Sequence, residues 1–200
     1  MAKIIRSVLV LVISLSSLSV HAKGERYGIS GALRSIDSIT YEEGMSGTAE
    51  TLSYGIVHTR PIDENNNRWR WWLAANYTQD SIMPDASGVY QELIGLDLRI
   101  IPQYALASWG PFTPYIGGGL SFGYQQYANR WQVDDEGYKY GEQLEDIGQF
   151  EAGLIFTFGT AIKFGSNSDN HLQLVPQISY TLPIYNEGIG GAELSVSLLF

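Results

Sequence analysis

The chain has 200 residues, no cysteine and a formal net charge of −9. The length suits a single domain, the missing cysteines exclude a disulfide framework and thiolate chemistry, and the acidic balance argues against nucleic-acid binding. Lys3 and Arg6 precede a short apolar run broken by serines, Ser7 to Val20, and Val20-His21-Ala22 is a small-x-small cleavage site. Residues 1–22 therefore read as a secretory signal peptide cut after Ala22, not as a membrane anchor, which needs a longer and less polar run. The absence of a cysteine at the cleavage site also excludes a lipid-modified N-terminus. The expected mature domain, residues 23–200, has 178 residues and a net charge of −11. Nothing in it is long and apolar enough for a transmembrane helix, so any membrane crossing must be made by strands.

No stretch has a helical period. Eight segments of about ten residues instead alternate apolar and polar positions, the signature of an all-β, eight-stranded antiparallel up-and-down β-barrel, transmembrane if its apolar face is the outer one. In chain order they are Glu25 to Ser35, Glu50 to Arg60, Arg68 to Thr78, Val89 to Ile101, Thr113 to Gln125, Ile147 to Gly159, His171 to Leu182 and Ala192 to Phe200. Typical apolar faces are Trp69, Trp71, Leu73, Ala75 and Tyr77 in the third segment and Phe150, Ala152, Leu154, Phe156 and Phe158 in the sixth. The opposite faces are small, polar or charged, and carry Arg34, Arg70, Asp97, Arg99, Glu151 and Glu193.

Periodicity alone leaves open which face is inside: a lipocalin buries the apolar one, an outer-membrane barrel the polar one. Three features favour the second. Longer acidic or polar connections (36–49, 79–88, 126–146 and 183–191) alternate with shorter turns such as 61–67 and 166–170, although 102–112 is long for a turn. Trp69, Trp71, Trp72 and Trp109 fall toward one rim and Tyr77, Tyr90, Tyr124 and Tyr127 toward the other, as two interfacial girdles require. Finally, the last strand runs to the terminal residue, Phe200, with no polar tail.

That ending, AELSVSLLF, resembles the C-terminal β-signal of bacterial outer-membrane proteins, with Phe200, Leu198, Val196 and Leu194 at the matching positions. The stretch PFTPYIGGGLSFGYQ, Pro111 to Gln125, is similar to the proline-aromatic-glycine strand opening of small barrels of the OmpA/OmpX type. The resemblance implies a Gram-negative outer-membrane location among lipid and lipopolysaccharide. It also implies recognition of Leu194, Val196, Leu198 and Phe200 by the barrel-assembly machinery.

No residues support catalysis, a cofactor or a metal. His58 and His171 map to the periplasmic end, away from the rim where a lipid-modifying enzyme works. The acidic set Asp134, Asp135, Glu136, Glu142, Glu145 and Asp146 lacks the spacing of a known calcium loop and reads as solvated loop charge, a candidate surface for a ligand. Inward charges must pair, because an unpaired buried charge costs several kcal/mol. Estimated register pairs Arg70 with Asp97 and Arg34 with Glu193, with Arg99 and Glu151 nearby. The resulting expectation is a structural or surface-interaction protein with a plugged lumen. A small channel, an outer-membrane lipid-modifying enzyme and a periplasmic lipocalin-like binder are the alternatives.

Overall fold

The computed structural model describes residues 24–42, 45–63, 66–82, 88–164, 172–185 and 190–200. The expected signal peptide and His171 lie outside these residues. The strands are β1 (Arg26–Glu42), β2 (Met45–Asp63), β3 (Asn66–Ile82), β4 (Gly88–Ala105), β5 (Phe112–Val133), β6 (Lys139–Leu144), β7 (Ile147–Phe164), β8 (Leu172–Tyr185) and β9 (Gly191–Leu199). All pair antiparallel. The ring runs β1-β2-β3-β4-β5-β7-β8-β9 and closes where β1 meets β9, from Gly28 opposite Leu199 to Arg34 opposite Glu193. Closure removes the two sheet edges, whose unpaired N–H and C=O groups hydrocarbon cannot satisfy. β6 stands outside the ring and pairs with β5, as a short continuation of its hairpin.

The wall is inside out relative to a soluble barrel. Leu33, Leu52, Tyr54, Leu96, Leu98, Phe156, Ile178 and Leu194 point outward and are exposed, whereas Thr51, Ser53, Asn76, Ser121, Thr157, Gln177 and Ser195 are buried inside. A lipocalin-like wall needs the reverse assignment, because in water each exposed leucine-sized side chain forgoes about 1.5–3 kcal/mol of burial. Lipid around the wall removes that cost.

Several expectations about the ends are corrected. The supposed loop 36–49 is mostly strand: β1 continues to Glu42 and β2 begins at Met45. Likewise β5 continues to Val133, and a tight turn closed by Asp134 leads into β6; Asp134 Oδ1 accepts from the backbone N–H groups of Glu136 and Tyr138 at 3.0 and 2.8 Å. The stretch 102–112 folds back on itself, with a Trp109–Phe112 bridge and Gly110 at a φ of 57°. Trp72 does not join a girdle: it is adjacent to the outward Trp71, so it must face the lumen, where it is buried. Tyr127 is also inside, fully buried, with its hydroxyl donating to Gln125 Oε1 at 2.8 Å.

The glycines of β5 let side chains cross the lumen. A Cβ built on Gly117 meets Gln103 Cγ and Thr157 Oγ1, each at 2.8 Å. Gly117→Val is therefore expected to lower barrel stability by about 1–3 kcal/mol, the usual cost of overpacking, read as a fall in the urea midpoint of the refolded barrel.

Candidate functional site: the layered polar lumen

Asp97 and Arg99 are two residues apart on β4, so the pleat places both on the inner face. Arg99 Nε donates to Asp97 Oδ2 at 2.6 Å. Its two terminal nitrogens reach across the lumen to Glu193 on β9, donating to Oε1 and Oε2 at 2.6 Å each. β4 and β9 are separated by three strands on one side of the ring, so this bidentate pair is a cross-brace and not a ladder neighbour. Asn76 Nδ2 donates to Asp97 Oδ2 at 3.0 Å, and Arg34 Nη1 lies 3.8 Å from Asp97 Oδ1. Glu151 on β7 completes the belt; its Oε1 accepts from Gln149 Nε2 at 2.8 Å. Arg34, Asp97, Arg99, Glu151 and Glu193 are all buried. A cavity of about 10 Å³ beside Arg34, Asp97 and Glu151 is the space of about one water.

Apolar layers flank this belt. On the side of the chain termini, Val57, Trp72, Ala74, Ile101, Ile155, Ala161, Val175 and Leu199 form one cluster. Toward the opposite rim, Ile36, Ile82, Leu93 and Tyr127 form another. A second polar group lies toward the terminal end. Arg70 Nε donates to Gln103 Oε1 at 2.9 Å, Gln103 Nε2 donates to Gln177 Oε1 at 2.9 Å, and the Arg70 guanidinium sits 3.5 Å over the Tyr115 ring. At the far rim Arg130 donates to Gln91 Oε1 and to the Glu145 carbonyl, and Lys139 lies 3.9 Å over the Tyr90 ring.

The pairing expected for Arg70 and Asp97 is overturned. Arg70 opposes Gln103 and Asp97 opposes Asn76, six residues further along the ladder, or about 20 Å. β3 runs four residues past the expected Thr78 to Ile82, which pairs with Gln91 and packs inward with Leu93, while β4 begins close to where expected, so the register shifts. An even slip keeps every side chain on its face but exchanges every partner. Arg34 and Glu193 do oppose one another, yet the Glu193 carboxylate is clamped by Arg99 while Arg34 reaches Asp97. Arg99, placed only nearby by the sequence, is the hub. Leu194, Val196 and Phe200 are exposed on the lipid-facing wall and Leu198 is half-buried there. Phe200 is held by backbone hydrogen bonds with Tyr27 at 2.8 and 3.3 Å.

The closed antiparallel ring, apolar outside and polar inside, defines a small eight-stranded outer-membrane β-barrel. Its fold is similar to the crystal structure of Neisserial surface protein A, at 18% identity and a TM-score of 0.54, over 90% of this chain and 97% of that one. It is also similar to Ail, the attachment invasion locus protein of Yersinia pestis (12% identity, TM-score 0.49, 89% and 97% covered). The N-terminal β-barrel domain of Pseudomonas aeruginosa OprF gives 12% identity and a TM-score of 0.48, over 90% and 100%. Neither a family model nor a curated protein sequence matches the chain.

Proposed function

We propose that this protein is a non-enzymatic outer-membrane barrel with a plugged lumen, acting in membrane integrity or in surface contact through its acidic rim. The observation carrying this reading is the Arg99–Glu193 brace, a charge pair with both carboxylate oxygens satisfied and apolar layers on either side. Ions need a continuous wet path, and apolar layers inside a narrow barrel oppose one. The signal peptide 1–22 exports the chain, and the barrel-assembly machinery reads Leu194, Val196, Leu198 and Phe200 as strand β9 enters the membrane. The termini then face the periplasm, and the β5–β6 hairpin, with Asp134, Asp135, Glu136 and Glu142, faces outward to lipopolysaccharide or a surface ligand.

Single-barrel recording in planar bilayers tests the lumen. Protein refolded in detergent and inserted at neutral pH is expected to hold a closed baseline, while Arg99→Ala/Glu193→Ala raises ion leakage. Steady stepwise conductance by the unmodified barrel would mean that the lumen is a pore.

A further inference from the structure

The outer wall carries a feature unrelated to the lumen. Across β4, β3, β2 and β1, outward side chains form rows, because ladder partners share a face. One row is Leu98, Ala75, Ile56 and Ile29; the next, toward the terminal end, is Ile100, Leu73, His58 and Tyr27. Ala75 is the small member among large ones, and around it the wall is hollowed into an apolar concavity of about 410 Å³ with Phe200 at its end. That volume lies within the range of ligand pockets, about 300–1,000 Å³.

Polar groups stand at one end of the hollow only. His58 faces outward in an otherwise apolar row, its Nε2 3.2 Å from Glu25 Oε1 and its ring packed at a 33° tilt against Tyr27 with centroids 4.5 Å apart. Arg60, two residues beyond His58 on the same face, is exposed. The β1–β2 ladder begins at Arg26 opposite Thr59, and Glu25 and Arg60 each stand one residue beyond that pair, at the same end of the hollow. Trp71 on β3 opposes Arg60, and Trp69 stands two residues further toward the rim, where aromatic side chains mark a membrane interface. Polar side chains facing hydrocarbon are costly, whereas at the headgroup level they are not.

We infer that this wall holds one phospholipid with a phosphoethanolamine headgroup, drawn from the leaflet on the terminal side. One acyl chain fills the hollow over Ala75. The headgroup ammonium meets Glu25, whose carboxylate offers about four acceptor sites, and the phosphate meets Arg60, a planar donor suited to phosphate oxygens. A carboxylate and a guanidinium at one end of the hollow match a zwitterion; an anionic headgroup finds the carboxylate repulsive.

Native mass spectrometry of the purified mature barrel in mild detergent tests this, after exchange against vesicles of dioleoyl-phosphatidylethanolamine or dioleoyl-phosphatidylglycerol. Unmodified protein is expected to retain one ethanolamine lipid per barrel, and to retain it about fivefold more than the glycerol lipid. Ala75→Phe fills the hollow and should abolish retention of both lipids. Glu25→Gln should keep retention but bring the two lipids level. Heat-modified gel mobility confirms that each variant is folded, and Glu25→Gln carries the test should Ala75→Phe fail to fold. No retained lipid, equal retention by the unmodified barrel, or retention unchanged in a folded Ala75→Phe barrel would overturn the inference. So would finding lipopolysaccharide or a second copy of the barrel in its place.

Discussion

Arg99→Leu is expected to lower the stability of the refolded barrel by about 3–5 kcal/mol, the cost of leaving a buried charge without its partner. Two carboxylates lose a partner at once. Glu193 loses both of its hydrogen bonds from Arg99, and Asp97 loses the closer of its two arginines. Arg34, at 3.8 Å from Asp97, compensates only partly. The double variant Arg99→Leu/Glu193→Leu should recover a large part of the loss, because a buried pair replaced by apolar groups is often neutral or better. Asp97 then keeps Arg34 and Asn76. The measurement is the urea midpoint of each barrel in detergent, compared at equal slope. A loss in the single variant within about 0.5 kcal/mol, the scale of an ordinary surface change, would mean that the belt is hydrated and the brace carries little.

Deleting Phe200 is expected to separate assembly from stability. In the finished barrel its ring faces lipid, and its backbone makes two hydrogen bonds with Tyr27. Removing it leaves no packed cavity, so the stability loss should be below the roughly 3–5 kcal/mol of a buried Phe→Ala change. During insertion the same ring ends the alternating row Leu194, Val196 and Leu198. The deleted chain should therefore yield much less heat-modifiable barrel in cells, while refolding in detergent to a near-normal urea midpoint. Normal cellular yield would show that the terminal aromatic is not read during assembly. Loss in both assays would make its role structural instead.

The period-two pattern by itself determined that this chain is an eight-stranded barrel with polar side chains on one face. Neighbouring residues in a strand must point oppositely, so Arg34, Asp97, Arg99, Glu151 and Glu193 share a face whatever the register. Lipid outside and polar groups inside were legible in the aromatic residues gathered toward the strand ends. The partners within the lumen were not legible. Ladder register depends on where each hairpin turns, and Ile82 extends β3 because its burial beside Leu93 and Tyr127 outweighs an earlier turn. A six-residue displacement separated Arg70 from Asp97 without moving either side chain to the other face. The reach of Arg99 from β4 to Glu193 depends on the width of the closed ring, a distance that no local pattern encodes. The hollow over Ala75 is likewise tertiary: one alanine in a strand is ordinary, and it becomes a concavity only when Leu98, Ile56 and Ile29 stand around it in register.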